Sequence, residues 1–248
     1  MKSLLTECGR ELAFSQSNGD GPGIVFLGGF MSDMAGTKAL KLAAWCKKQK
    51  RPFLRFDYSG HGASSGSFVD GCIGDWAEDA QAAITTLTEG PQVLVGSSMG
   101  GWISLLMAQR VPEKVAGLVT IAAAPDFTED GFWRNFNEDT RKQLNDDGVV
   151  KIPSEYSEPY PITKRLIEDG RLHLVLRKPL KLSIPTRLLQ GDQDEDVSVE
   201  TANQLFQHLE GPDVQLTLLK GADHRFSTPA ALSLVKTSIL DLLEIIEN

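Results

Sequence analysis

The sequence predicts an α/β fold: a mostly parallel, twisted sheet of about eight strands with helices on both faces. Three observations carry this. Short β-rich runs alternate with longer amphipathic stretches, the signature of βαβ units. The 248 residues suit one large domain of this class. Composition is near globular averages, 41% hydrophobic and 23% charged, which argues against wholesale disorder.

In chain order, the runs around Leu4–Cys8 and Glu11–Ser15 are parted only by Gly9 and Arg10. That link is too short for a crossover, so they form an antiparallel hairpin at the sheet edge. Ile24–Gly28, Phe53–Asp57, Val93–Gly96, Gly117–Ala122, Thr186–Gln190 and Val214–Leu219 read as the remaining strands. Thr37–Lys50, Asp75–Glu89 and Gly100–Arg110 supply amphipathic crossover helices. Pro229–Glu247 closes the chain as a helix, with Leu232, Val235, Ile239, Leu242 and Ile246 at helical spacing.

Residues 126–181 break the alternation, being far longer than a βα connection. The segment opens with a charged helical pattern over Asp130–Asp147. It passes through a Pro/Tyr stretch, KIPSEYSEPYPIT, and ends in a second helical stretch, Thr163–Leu176. It is read as a cap inserted over one end of the sheet, with residues 1–248 forming a single domain around it.

The 25 basic and 33 acidic side chains leave a formal charge of −8. A net-negative chain lacks the electrostatic basis for binding nucleic acid. No apolar run reaches the roughly 20 residues that span a bilayer, so no integral membrane segment is expected. The N-terminal MKSLLTECGRELAF has neither the apolar core of a secretory signal nor the Arg/Ser-rich make-up of a transit peptide. A cytoplasmic location is therefore expected. Cys8, Cys46 and Cys72 are too scattered for a disulfide framework or zinc site; reduced thiols are expected, and neither metal nor cofactor.

The chemistry begins where Val93–Gly96 runs into Gly96-Ser97-Ser98-Met99-Gly100, followed by a helix-forming stretch to Arg110. This is G-x-S-x-G in a strand–turn–helix context, a nucleophile elbow. Its glycines let the chain turn sharply, and the helix N-terminus favours developing negative charge beside Ser98. The spacing of Ser97 to the glycines is wrong for that role.

A serine hydroxyl needs a base, and the chain has only four histidines. His208 falls within a helical stretch and reads as a surface residue. His173 lies in the inserted segment, and His61, in DYSGHGASSG, reads as part of a glycine-rich turn. His224, in LLKGADHRF, directly follows the last strand. Its loop opens on the same sheet edge as Ser98, where ligands of parallel sheets gather. The imidazole needs a carboxylate to fix its tautomer. RLLQGDQDEDV offers Asp192, Asp194, Glu195 and Asp196 after the preceding strand, and Asp126 is a further source. Oxyanion donors are expected from the backbone N–H of Met99 and from the loop Gly28-Gly29-Phe30-Met31, with Phe30 first and Met31 second.

FLGGFMSDM, RFDYSGHGASSG, GSSMGGW, LLQGDQDEDV and GADHR, in that order, make the chain resemble an α/β-hydrolase along essentially its full length. Within the family, the segment Leu166–Leu176 and EGPQVLVGSSMGGW make it similar to acyl-protein thioesterases that also cleave acyl glucuronides. The resemblance implies an α/β-hydrolase fold and a catalytic triad of Ser98, Asp194 and His224. Asp194 falls at the acid of the family pattern G-x-x-D-x-x-V, with Val197 at its apolar end. The oxyanion loop departs from the common His-Gly start by having Gly28.

The expected activity is that of a serine hydrolase cleaving carboxylic esters or thioesters, of small molecules or acylated proteins, through an acyl-serine. Phe132, Trp133, Phe136, Tyr156, Tyr160 and Leu172 are candidates to line an acyl pocket, against ordinary packing of the cap. Arg134, Arg165 and Arg171 are candidates for a substrate carboxylate, against a solvated face. Two alternatives use the same fold: carbon–carbon bond hydrolysis by the same triad, and a non-catalytic ligand-binding protein.

Overall fold

Alternation along each central strand decides how the layers assemble. In a computed structural model, which describes residues 2–153 and 159–248, Val93 and Val95 pack on one face and Leu94 on the other. Ile24 and Phe26 likewise oppose Val25 and Leu27. This is the period-two pattern of strands buried on both sides.

The order is β1 (Lys2–Leu5), β2 (Glu11–Ser17), β3 (Gly23–Leu27), α1 (Thr37–Lys48), β4 (Phe53–Phe56), α2 (Ile73–Leu87), β5 (Gln92–Ser97), α3 (Met99–Arg110) and β6 (Val115–Ile121). The inserted segment contributes a π-helical turn (Phe127–Trp133), α4 (Glu138–Asp147), β7 (Val149–Ile152), β8 (Tyr160–Thr163) and α5 (Lys164–Gly170). The segment ends in β9 (Leu180–Lys181), and the chain resumes with β10 (Thr186–Gly191), α6 (Val199–His208), β11 (Leu209–Glu210), β12 (Val214–Leu219) and α7 (Pro229–Glu247).

Eight strands form one sheet in the order β1-β2-β4-β3-β5-β6-β10-β12. β2 runs antiparallel to β1 and β4, and the remaining pairs are parallel. Helices α1 and α7 cover one face. Helices α2 and α3 cover the other, where Leu144, Val150, Ile162, Leu166 and Ile167 of the inserted segment join the same core.

Three local differences from the sequence reading have physical causes. The edge hairpin turns earlier than expected, because Gly9 at φ +80 and the Thr6–Arg10 backbone bond close the turn after Leu5. The helical pattern over Asp130–Asp147 is broken into the π turn and α4, since Asn137 caps α4 by accepting the Thr140 N–H. The Pro/Tyr stretch contains one strand of an antiparallel pair, β7 with β8. Pro161 is tolerated there because a two-stranded ribbon leaves each strand one unpaired edge. Residues 154–158, Tyr156 among them, lie outside the described residues. Among the described residues, no helix is long and apolar enough to cross a membrane.

Candidate active site

Ser98 sits between β5 and α3 with φ 55 and ψ −118, a left-handed backbone that strains any residue bearing a Cβ. Backbone bonds hold it there: its N–H donates to the Ile121 carbonyl at 2.9 Å, and its carbonyl accepts from Gly101 and Ala124. The flanking glycines are required by space. A Cβ on Gly100 would lie 2.1 Å from the Leu27 carbonyl oxygen, and one on Gly96 2.3 Å from that of Gly100. Ser98 is half-buried, whereas Ser97 is buried, so only the former is open to a substrate.

The loops after β10 and β12 bring Asp194 to His224. Nδ1 of the imidazole lies 2.9 Å from Oδ2 and 3.0 Å from Oδ1 of Asp194, whose side chain is wholly out of solvent. Asp194 also accepts from the backbone N–H of Asp196 and Val197 and from the Gln190 amide. Burial pushes its carboxyl up, but His224 and these donors outweigh it and hold the group below the usual carboxylate range. Asp192 is turned elsewhere, onto Lys220 and the Gly221 N–H. Asp126 accepts from Val175 and Leu176 inside the inserted segment. Asp194, Asp196 and His224 bring ligand atoms within 4.8 Å of one another; a cation there would compete with the imidazole for Asp194. Among the described residues, no hydrogen bond joins the Ser98 hydroxyl to His224, a contact that in unliganded sites often tightens only around substrate.

The loop after β3 passes close to the serine: a Cβ on Gly29 would lie 3.3 Å from that of Ser98. Among the described residues, the N–H groups of Phe30 and Met99 carry no hydrogen bond. The Met31 N–H donates to Nε2 of His61 at 3.3 Å, so the second choice of loop donor is already spent.

A family profile described as the alpha/beta hydrolase fold matches residues 24–160. The bovine and human proteins named palmitoyl-protein thioesterase ABHD10, mitochondrial, are 38% and 37% identical; each match covers 94% of this chain and 76% of the relative. The solved mouse alpha/beta hydrolase domain-containing protein 10 superposes with a TM-score of 0.92 at 34% identity, over 99% of this chain and 98% of that one. A crystal structure from Agrobacterium vitis S4 gives 0.94 at 37% identity, over 98% of each. The chain is an α/β-hydrolase. As such it is an enzyme, a serine hydrolase acting on esters or thioesters. The cytoplasmic expectation is overturned, because these relatives carry a mitochondrial location in their names. Its basis was N-terminal composition, and composition of a folded domain does not encode the compartment that a receptor-read address specifies.

In this hydrolase the Phe30 ring meets Phe68, Trp76, Phe127, Phe132 and Tyr160 at centroid distances of 4.8–6.0 Å. Phe132 and Tyr160 thus stand beside the oxyanion loop, and Phe136 stacks behind Phe132. Trp133 is held differently, in cation–π contact with the guanidinium groups of Arg141 and Arg171. Leu172 is 79% exposed and packs in no pocket. The three arginines considered for a substrate carboxylate are engaged internally: Arg134 with Asp130, Arg165 with Asp75, Arg171 with Glu129. His173 contacts Asp169 and Arg110, and His208 the Lys178 carbonyl. Sequence reasoning passed over Asp57, His61, Phe68, Trp76 and Phe127. The signal for the first two was there, in DYSGHGASSG directly after a strand.

Proposed function

We propose that Ser98, His224 and Asp194 perform acyl transfer to water, with the Phe30 and Met99 amides receiving the oxyanion. Ser98 attacks the acyl carbonyl while Nε2 of His224 takes the hydroxyl proton. Asp194 holds the opposite nitrogen, fixing the tautomer and stabilising the imidazolium. The tetrahedral intermediate collapses, His224 protonates the leaving thiol or alcohol, and the acyl-serine remains. Water, deprotonated by the same imidazole, attacks the acyl-serine and restores the hydroxyl.

The observation that carries this reading is the part-buried Asp194–His224 pair, presented by two loops at the sheet end where the strained Ser98 stands. The substrate proposed is a long-chain acyl thioester of a protein, the class the ABHD10 relatives' names state. The segment 126–181 serves as a cap whose Phe132 and Tyr160 receive the acyl chain beside Phe30; the aromatic contacts above support that placement.

The test is labelling by a fluorophosphonate together with kcat/KM on acyl thioesters, acyl esters and an acyl glucuronide. Wild type should label and Ser98→Ala should not. Turnover by Ser98→Ala should fall by several orders of magnitude, roughly the 10⁶-fold seen for serine proteases. Full activity without Ser98 would refute the mechanism.

A further inference from the structure

The proposed oxyanion hole requires the Phe30 N–H to stay in place; the Phe30 ring is anchored among five aromatic rings, but the residue that follows it is not. Met31 adopts φ 53, and its side chain is 43% exposed, so buried contacts of that side chain do not hold the turn. Ser32 closes the turn by donating its N–H and hydroxyl to the Gly29 carbonyl, and β4 with the loop after it adds further polar ties. Asp57 takes the Met34 N–H at 2.6 Å, and Arg55 donates to the Met34 carbonyl. The Met31 N–H goes to Nε2 of His61.

The protonation of His61 follows from its partners. Nδ1 lies 3.1 Å from the Ser59 carbonyl oxygen, which only accepts, so Nδ1 carries the proton. Nε2 then presents its lone pair to Met31. The ring is 3% exposed and enclosed by Tyr58, Phe68 and Trp76. Burial lowers its pKa, against the pull of the Ser59 carbonyl, Asp57 and Asp79. His61 is therefore a neutral, enclosed acceptor aimed at one backbone N–H.

We propose that His61 is a positioning residue for the oxyanion hole: by binding the Met31 N–H it fixes the peptide plane next to the one carrying the Phe30 N–H. That leaves the Phe30 donor unspent beside Ser98. The inference rests on the oxyanion role proposed for Phe30. It gives a task to a histidine that the triad does not use.

Two substitutions divide the side chain's two bonds. His61→Asn places an amide near the position of Nδ1, keeping a donor for Ser59 and losing the acceptor for Met31. His61→Gln reaches the position of Nε2 and can keep the Met31 bond. A donor displaced by about an ångström costs on the order of 100-fold. In His61→Asn, kcat on an acyl thioester should accordingly fall ~10–100-fold with KM little changed. The Ki of an alkyl boronic acid, which forms a tetrahedral adduct on serine, should rise in the same proportion. His61→Gln should recover most of both. Wild-type kcat in folded His61→Asn would overturn the proposal. So would equal losses in both variants that track melting temperature rather than boronate affinity. If Ser98→Ala is inactive in the same assays while His61→Asn is fully active, the positioning role fails and the serine mechanism stands.

Discussion

Asp194 turns both carboxylate oxygens toward Nδ1 of His224, at 2.9 and 3.0 Å, with none of its side chain open to solvent. An asparagine there would offer an N–H to Nδ1 and select the wrong tautomer. Asp194→Asn should lower kcat by roughly 10⁴-fold, as in serine proteases, whereas Asp192→Asn should change it by only a few-fold. Equal losses at the two positions would remove Asp194 as the acid. The carboxyl is also held below its usual range, so its contribution to stability is present above the unfolded value of ~3.9 and is lost as pH falls through the lower folded value. Melting temperatures of wild type and Asp194→Asn should therefore converge on acidification below pH ~4. A constant difference down to pH ~2 would contradict that linkage.

The ammonium of Lys38, at the start of α1, donates to the Arg225 carbonyl at 2.5 Å, one residue from His224. Burial pushes it down to about 8; Asp223 and Asp194 pull it up, and Arg225 pushes it down further. Below pH 8 the charged lysine holds the Arg225 carbonyl and so the loop that carries His224, and above it that hold is weakened. Screening at this partly exposed site limits the effect. A fall in kcat/KM of roughly 2- to 5-fold is expected as pH rises through 8, on the scale of a weak surface ion pair. Lys38→Arg, charged throughout, should lack that alkaline fall, and Lys38→Met should be low already at pH 7. An unchanged alkaline limb in Lys38→Arg would exclude Lys38 as its source.

Ser98 and His224 were legible because both follow strands of a parallel sheet. Strand ends can be found from apolar runs, and the elbow's glycines mark one of them. Asp194 needed the family pattern, since four acids share its loop and only folding shows which one turns inward. His61 does lie in a glycine-rich turn, between Gly60 and Gly62 at positive φ, but its bond to Met31 was hidden for a related reason. Its role is to accept one backbone N–H from a loop thirty residues away, and no local period or spacing encodes such a pairing. The β7–β8 hairpin was hidden by Pro161, whose tolerance depends on its being in an isolated two-stranded ribbon.

Asp126 was the other acid the sequence offered, and its surroundings assign it a different task. It is fully buried at φ 58 and accepts the N–H groups of Val175 and Leu176 at 2.8 and 2.9 Å, with Arg177 nearby. One side chain thereby ties the start of the inserted segment to its far end. Asp126→Ala strands two buried donors, each costing about 1–3 kcal/mol, so a loss of roughly 2–6 kcal/mol in unfolding free energy is expected. Chemistry should be spared: at a temperature where the variant is folded, kcat on a short-chain thioester should remain within a few-fold of wild type. Denaturant unfolding and single-turnover kinetics on the same preparation separate the two roles. A collapse of kcat in a fully folded Asp126→Ala would contradict a purely structural role for this carboxylate.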